Sequence, residues 1–596
     1  MNASNVEPAE PQTDAGPQDE GFTRTPDKPH AIGSFCLVLH GHLPYVLHHG
    51  TWPHGEDWLY EAAAETYLPI LAMLDECVYF NAVPRLTMGL TPVLLEQLDH
   101  EHFKHGFEHY LNDRAEQARK DQAEFEKLGN GHMKWLAQRW EQMFTKLLAQ
   151  FADIGRDIPG AFAQHARAGR VEMLTSNATH AYMPLMLEDA SIRAQIRAGV
   201  NSSERILGFK PGGMWFPECA YRPSGPWNPP IQWGEGRVRC GLEHLAADEG
   251  IHHFFVESHL VTESKSEQAF NDGMWHKVGW EEAAKYPHRG WRSVNEAHGV
   301  NSDGMGLARC WVLARDQAAC EQVWSGSIGY PAAGEYLEFH KQWGPRRGLR
   351  YWKITGPKCD LGDKHLYYPQ DVDAKMHEHV SHFIDVVKQR LRHHRDTAGK
   401  DGVVVATFDA ELFGHWWHEG VRFIRDVMLT LNSDPEINLQ TSMEYLHSTF
   451  VDKVVTLPEG SWGEEGDHRV WTNEQVNWMW EIMYRAEGTF GRLTNQLDWE
   501  TNAQVKELLE KAGRELLLLQ ASDWPFVIRR GQAVDYGIKR FMQHVARFET
   551  LTDLAEKVAA DSAYLGGLTE VEKHEIADAD LHDVIFPEID LAWWSV

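Results

Sequence analysis

The sequence predicts an α/β barrel that contains a helical insertion and is followed by an all-helical domain. Short apolar runs typical of buried strands alternate with helical patterns, and polar residues follow the C-terminal end of several runs. A charged, helix-prone stretch from about 99 to 163 has few strand signals and predicts the insertion. In a (β/α) barrel the strand C-termini meet on one face, so we expect a site there.

Four apolar runs end in residues that can carry chemistry. Residues 35–39 lead to His40-Gly41-His42, 171–175 to Asn177 and His180, 213–216 to Glu218, and 403–408 to Asp409. A helical pattern over 374–395 precedes the last run. One such coincidence would mean little, but four favour a single site at the strand C-termini.

The chain divides into three predicted parts. Residues 1–30 are rich in Pro, Asp, Glu, Gln and Thr and lack the apolar core of a signal peptide, which predicts a disordered N-terminal extension. The barrel is predicted over 31–453 and the helical C-terminal domain over 454–596. Within that domain, Thr472-Asn-Glu-Gln475 and Thr501-Asn-Ala-Gln504 are capping-box patterns that predict helix starts. The second predicted helix carries an apolar stripe, which is typical of packing: Val505, Leu508, Leu509, Ala512, Leu516 and Leu519.

Composition excludes some classes of function. The chain has 57 basic and 87 acidic residues, a net charge of −30, which disfavours nucleic acid and anionic membranes as partners. Its seven cysteines are scattered, without a CxxC motif, which argues against disulfides and a cysteine zinc site. No apolar run is long enough to span a bilayer, so a cytoplasmic protein is expected. The 24 Trp residues favour carbohydrate, because aromatic rings stack on the apolar faces of sugars.

Glu218 and Asp409 are the candidate catalytic residues. Glu218 lies in Trp215-Phe-Pro-Glu218, and Asp409 opens a loop rich in aromatic and histidine residues. A carboxyl in such surroundings is poorly solvated and rigidly held, as a nucleophile or a tuned acid must be. Each segment alone fits a salt-bridged structural acid equally well. As a pair they fit glycoside cleavage, in which retaining enzymes hold two carboxyls roughly 5–5.5 Å apart.

A metal site is an alternative that the same residues leave open. His40 and His42 follow the first strand with the spacing of metal ligands, and His180 and His415 could complete a ligand set. Thr407-Phe-Asp409 would then fit a metal-dependent polysaccharide deacetylase. The competing roles for these histidines are hydrogen bonding to sugar hydroxyls and packing in the core.

Taken together, several segments resemble glycoside hydrolase family 57, and within it the 1,4-α-glucan branching members. The motifs recur in order between about 35 and 538: His40-Gly-His42-Leu-Pro-Tyr45, Glu172 through His180-Ala-Tyr-Met-Pro184, Trp215-Phe-Pro-Glu218, Thr407-Phe-Asp409-Ala-Glu-Leu-Phe-Gly-His415-Trp416, and Trp462-Gly through Trp471. The resemblance implies an incomplete (β/α)7 barrel with a helical insertion and an α-helical C-terminal domain that completes the cleft. It also implies a retaining glycosyltransferase of glycogen biosynthesis that acts on α-glucans such as amylose and needs no metal or other cofactor.

The resemblance also assigns roles to residues. It implies that Glu218 is the nucleophile and Asp409 the acid/base. Ala332 stands where the family often has a glycine, so its contact would be through the backbone. Residues 271–302 correspond to a mobile loop over the site, with Tyr286 as the candidate tyrosine at its tip. The implied substrate contacts are His40, His42, Trp52, Trp58, His180, Arg315, Trp324, Ala332, Trp462, Trp471, Asp523 and Gln532.

Two further classes of function stay open at this level. An α-amylase or a 4-α-glucanotransferase would use the same carboxylates with a different acceptor, and a non-catalytic glucan-binding protein would use only the aromatic residues. The sequence does not indicate chain-length preference or oligomeric state.

Overall fold

The structure is a computed structural model that describes residues 28–271, 274–277, 292–304, 308–325, 328–344, 347–356 and 358–595. Within these ranges the strands, numbered in chain order, are β1 (Gly33–Gly41), β2 (Leu86–Leu90), β3 (Val171–Thr175), β4 (Gly213–Met214), β5 (Gly225–Trp227), β6 (Arg237–Arg239), β7 (His253–Val256), β8 (Lys265–Asn271), β9 (Met274–Lys277), β10 (His298–Val300), β11 (Cys310–Ala314), β12 (Gln342–Trp343), β13 (Leu349–Arg350), β14 (Gly402–Asp409), β15 (Ile437–Leu439) and β16 (Lys453–Thr456).

Helices surround the sheet and form the C-terminal part of the chain. Those of the barrel and its insertion are Glu56–Ala62, Leu68–Tyr79, Pro92–Asp99, Glu101–Lys127, Gly131–Asp153, Ile158–Arg167, Asp189–Leu207, Leu242–Asp248, Ser258–Thr262, Gln317–Trp324, Pro369–Ala398, Gly420–Ser433 and Ser442–Ser448. Those of the C-terminal part are Asn477–Gln496, Ala503–Leu519, Asp523–Arg530, Val534–Ala560 and Glu570–His582. None of the described helices is both long and apolar enough to cross a bilayer.

The main sheet is an incomplete barrel. Seven parallel strands lie in the order β14-β1-β2-β3-β4-β7-β11, and β11 then pairs with the antiparallel β10. In the described part of the chain, β11 and β14 are not paired as strands, although the Asp316 N–H donates to the Val405 carbonyl at 2.8 Å. All nine residues of β1 are buried, as expected for a strand covered on both faces. The predicted incomplete (β/α)7 barrel is confirmed.

The insertion forms where the charged stretch predicted it. Helices Glu101–Lys127 and Gly131–Asp153 lie side by side, joined by a short loop in which the Asn130 side chain accepts from the Met133 N–H. Their contact faces are aromatic, with Phe107 stacked on Phe103 and edge-on to Phe151. These helices share one continuous apolar core with the barrel and the C-terminal helices.

The predicted domain boundaries stay predictions, and contacts cross both of them. The boundary at 453/454 falls inside β16, which pairs with β10 and β8, so the barrel sheet continues past it. At the other end, residues 1–27 lie outside the described residues, but Lys28 of the predicted disordered extension is tied to the barrel. Its ammonium donates to the Leu431 carbonyl at 2.8 Å.

The predicted capping boxes are wrong, whereas the apolar stripe is confirmed. Helix Asn477–Gln496 begins without a side-chain cap, so Thr472 does not cap it. Helix Ala503–Leu519 is capped by the Asn502 side chain, while the neighbouring Thr501 hydroxyl donates to Asp498. Asparagine and threonine are both good caps, and which of two adjacent residues caps a helix depends on backbone geometry. The six stripe residues of helix Ala503–Leu519 are all buried.

We predict that Gly199→Ala destabilises the protein although alanine favours helices. Helix Asp189–Leu207 packs so closely on the loop after β3 that a Cβ at Gly199 would lie 2.3 Å from the Ser176 carbonyl oxygen. Overpacking of this kind costs about 1–3 kcal/mol. Differential scanning calorimetry should show a lower unfolding midpoint.

The matched control is Gly488→Ala. Gly488 is also helical, but nothing lies within 4 Å of the position that a Cβ would take there. Replacement there should raise the unfolding midpoint, since alanine gains up to about 1 kcal/mol over glycine in an exposed helix. Equal midpoints for the two variants would contradict the close packing at Gly199.

Candidate active site

Glu218 is held in an uncommon backbone conformation at the C-terminal end of β4. Its φ of 62° and ψ of 22° lie in the left-handed region, which non-glycine residues adopt rarely and mostly at constrained sites. Trp462 fixes it twice: the indole Nε1–H donates to Oε2 at 2.6 Å, and the Trp462 amide donates to the Glu218 carbonyl at 3.0 Å. The carboxyl group is therefore oriented by a residue 244 positions away in the chain.

Asp409 is the last residue of β14, and it lies beside His40 in the register of β14 with β1. Burial raises the pKa of Asp409 to about 7, while the positive charges of His42 and Arg315 oppose that rise. Burial likewise raises the pKa of Glu218 to about 8, the Trp462 hydrogen bond opposes it, and the charge of Asp409 adds to it. The charge of Asp409 thus acts on Glu218, and the two carboxyls influence each other's ionisation.

A row of stacked imidazoles lies beside the carboxyls. His40 Nε2 and His180 Nε2 share a hydrogen bond of 3.0 Å, and the His180 ring stacks on His42 with 4.0 Å between centroids. The other side of His40 stacks on Trp215. Burial lowers the pKa of His40 and His180 well below the usual range, so both are neutral at neutral pH. Neutral imidazoles both donate and accept hydrogen bonds, which suits sugar hydroxyls.

The C-terminal helices complete this end of the barrel. Asp523, the first residue of helix Asp523–Arg530, accepts from His42 Nε2 at 3.0 Å, and His42 Nδ1 is bonded to the Thr91 hydroxyl. The Ser522 hydroxyl is bonded to His180 Nδ1 at 2.9 Å. Two histidines of the barrel are thus positioned by adjacent residues of the helical domain.

Indole rings form the wall beyond Glu218. Trp462 contacts Trp215 edge-on at 5.2 Å and Trp324 edge-on at 6.2 Å between centroids. Trp324 ends helix Gln317–Trp324, and its Nε1–H points to the Thr407 carbonyl of β14. Arg315 follows β11 and donates to Glu257 at 2.8 Å. The structure therefore brings together nine of the sequence-predicted residues: Glu218, Asp409, His40, His42, His180, Arg315, Trp324, Trp462 and Asp523.

Glu411 is a residue of the site that sequence reasoning missed. Its carboxylate accepts from the Tyr67 hydroxyl and, at 3.1 Å, from the His42 amide. Burial raises the pKa of Glu411 to about 8, and the charge of Asp409 contributes. Its position two residues after Asp409, in the same loop, could have indicated it from the sequence.

Four further predicted contacts lie on other segments of the structure. Trp52 is 47% exposed on the loop after β1. Trp58 is half-buried against His54 and edge-on to Tyr536 of the C-terminal part. Ala332 ends a short 3-10 turn, and Gln532 is exposed beyond helix Asp523–Arg530.

Trp471 is 1% exposed and stacks on Tyr182 at 4.3 Å between centroids, so it packs against the segment that carries His180. Its predicted contact with a sugar stays a prediction. Tyr286, the loop candidate, lies outside the described residues.

The ligand set of the alternative metal site is not assembled. His415 is turned toward Glu65, with 2.7 Å between Nδ1 and Oε2, and its carbonyl accepts from Arg350. Within the described ranges, the groups spaced to hold a metal ion are His48, Glu56 and His102, and Glu515, His544 and Asp583. Neither group includes His40, His42, His180 or His415.

Comparisons with known proteins agree with this geometry. Residues 36–298 match the model of "Glycosyl hydrolase family 57", and residues 482–594 match "1,4-alpha-glucan branching enzyme, C-terminal". The 1,4-alpha-glucan branching enzyme TK1436 of Thermococcus kodakarensis is 37% identical over 523 residues, which cover 87% of this chain and 73% of that protein. A probable 1,4-alpha-glucan branching enzyme of Mycobacterium tuberculosis, Rv3031, is 29% identical over 89% of this chain and 93% of its own.

Solved structures show the same fold over nearly the whole chain. The GH57-type branching enzyme of Pyrococcus horikoshii has a TM-score of 0.82 at 34% identity and covers 95% of this chain and 97% of that one. The α-amylase AmyC of Thermotoga maritima has a TM-score of 0.77 at 27% identity, with 95% and 99% covered. Since the Thermococcus relative exceeds 30% identity over most of both chains and the family model spans the strands that lead to Glu218, this chain belongs to glycoside hydrolase family 57.

Proposed function

We propose that the protein is a 1,4-α-glucan branching enzyme that cleaves α-1,4 links and forms α-1,6 branches by a retaining mechanism. The observation that carries the proposal is the pair of buried carboxyls, Glu218 and Asp409, at one end of an incomplete barrel that a helical domain completes. Relatives named as branching enzymes share both parts of the chain, and the match over 482–594 is to a domain named for them.

In the first step Glu218 attacks the anomeric carbon of the donor glucosyl residue. Asp409, on the neighbouring side of the site, gives its proton to the departing glycosidic oxygen. The bond from Trp462 Nε1–H favours the ionised form of Glu218, which is the form that attacks. The product is a glucosyl group covalently bound to Glu218 and a shortened glucan with a free 4-hydroxyl.

In the second step a 6-hydroxyl of another glucan replaces that covalent bond. Asp409, now ionised, takes the proton of the hydroxyl, and Glu218 leaves as a carboxylate. Two inversions at the anomeric carbon restore the α-configuration.

Transfer to sugar rather than water needs a site that binds a second glucan and excludes solvent. The exposed Trp52 on the rim fits an acceptor platform.

An α-amylase is the second candidate, because the structure of AmyC shares this fold at 27% identity. It would use the same carboxylates with water as acceptor.

The proposal includes a cytoplasmic location, which the seven free thiols support, since unpaired cysteines are typical of reducing compartments.

The proposal predicts new α-1,6 links when the purified protein acts on amylose. Treating the product with a debranching enzyme should release short chains that untreated amylose does not contain. The Glu218→Gln protein serves as the matched control and should give none. Reducing ends without new branches would favour the α-amylase.

A second prediction concerns the pH dependence of kcat/KM, whose limbs report the macroscopic pKa values of the coupled carboxyls in the free enzyme. Trp462→Phe removes the hydrogen bond that lowers the pKa of Glu218, so the acidic limb should move to higher pH. Asp523→Asn removes a negative charge that raises this pKa, so the limb should move to lower pH. A displacement of about half to one pH unit is expected for single interactions of this kind.

The two variants control for each other, since both lie at the site and a general loss of activity would not separate the limbs. Limbs that move in the same direction, or that stay where the unaltered protein has them, would contradict the assignment of Glu218 as nucleophile.

A further inference from the structure

A cluster of histidines lies away from the carboxyls, where the loop after β1 meets the insertion and the C-terminal part. His48 is on the loop, His100 and His102 are at the start of helix Glu101–Lys127, and His582 ends helix Glu570–His582. The rings of His48 and His102 are 4.1 Å apart between centroids, and those of His100 and His582 are 5.8 and 6.2 Å from His48. We call these four residues and Glu56 the histidine junction.

Three residues of the histidine junction are spaced as metal ligands. Nitrogen atoms of His48 and His102 and a carboxylate oxygen of Glu56 lie within 4.8 Å of one another. Zinc bonds of about 2.0–2.1 Å in a tetrahedral site require ligand atoms about 3.3 Å apart. His102 Nε2 and Glu56 Oε1 are 2.9 Å apart. An ion that replaced their shared proton would therefore require only a small increase in the distance between these two atoms.

The carboxylate of Glu56 is already oriented by other groups. Its Oε1 accepts from the His48 amide at 2.9 Å, and its Oε2 accepts from the Tyr60 hydroxyl at 3.1 Å. Such hydrogen bonds to a ligand fix its orientation in metal sites. The carboxylate of Glu56 therefore needs little ordering when an ion binds.

The three ligand residues can be reached from solution. All three are only half-buried, which leaves a path for an ion.

The other group with ligand spacing does not suit a cation. Glu515, His544 and Asp583 are fully buried, and two guanidinium groups already occupy their surroundings. Arg547 is paired with Asp583, and Arg540 Nη2 is 3.0 Å from His544 Nε2. These arginines neutralise the carboxylates and would repel an ion, whereas no arginine or lysine is bonded to Glu56 in the described residues.

We propose that His48, Glu56 and His102 bind a divalent transition-metal ion of the zinc type, with His100 and His582 as further imidazoles beside it. Imidazole and carboxylate are ligands that zinc accepts in three-residue sites with a fourth position open. His48 and Glu56 form the neck of the loop that carries Trp52, where the Glu56 amide also donates to the Gly50 carbonyl at 2.9 Å. The ion would cross-link this neck to the insertion helix.

The test uses the full-length protein, stripped with a chelator, and zinc chloride alone as the probe. Equilibrium dialysis with elemental analysis should show one tightly bound zinc per chain, and zinc should raise the unfolding midpoint by a few degrees. His48→Ala and His102→Gln should each lower zinc affinity at least tenfold and abolish the rise in midpoint. His102→Gln keeps a donor for Glu56, so its midpoint without zinc should stay near that of the unaltered protein.

His105→Ala is the matched control, because His105 is on the same helix and largely exposed, and among the described residues its ring contacts the carbonyl and the carboxylate of Glu101. It should bind zinc like the unaltered protein. Absence of a tight zinc site in the unaltered protein would overturn the proposal. So would unchanged binding in both His48→Ala and His102→Gln, or loss of binding in His544→Gln instead.

Discussion

The site depends on taking two carboxyl groups out of water at the same end of the sheet. The pKa of Glu218 is raised to about 8 and that of Asp409 to about 7, both mainly by burial. A pKa change of one corresponds to about 1.4 kcal/mol. Burying two groups that are ionised in the unfolded chain therefore costs the folded protein several kcal/mol near neutral pH. Because the pKa values are raised, this cost is absent at low pH, where both groups are protonated in the folded and unfolded chain alike, and it grows as pH rises.

The surroundings of the pair offset part of that cost and give the two carboxyls different partners. Trp462 donates to Glu218, whereas His42 and Arg315 act on Asp409 through their charge. The imidazoles of His40 and His180 stay neutral beside them, which avoids locking either carboxylate into a permanent ion pair. In a two-step displacement Asp409 can then give up a proton in the first step and take one in the second.

The sequence predicted the barrel and its carboxyls because parallel strands place their C-termini on one face, whatever joins them. It predicted the stripe of helix Ala503–Leu519 because packing imposes the helical period on apolar residues. Local sequence patterns did not predict contacts between residues that are far apart in the chain. The bonds of Asp523 to His42 and of Trp462 to Glu218 span 481 and 244 positions, and no local pattern signals them.

Tryptophan and histidine were the residue types whose places the sequence described least well. Both have apolar rings with polar atoms, so the same residue type can be partly exposed, as Trp324 is beside Trp462, or fully buried, as Trp471 is. His48 has no ligand motif around it in the sequence, since its neighbours Glu56 and His102 come from other elements. Such residues are sorted by tertiary packing, which composition does not reveal.

We propose that Glu218 forms the covalent bond to glucose, and this bond can be trapped. The protein is incubated with a slowly hydrolysed fluorinated α-glucosyl fluoride, digested, and analysed by tandem mass spectrometry. One added fluoroglucosyl group is expected on the Glu218 carboxylate, and none after Glu218→Gln. Label on Asp409 or Glu411 instead would contradict it.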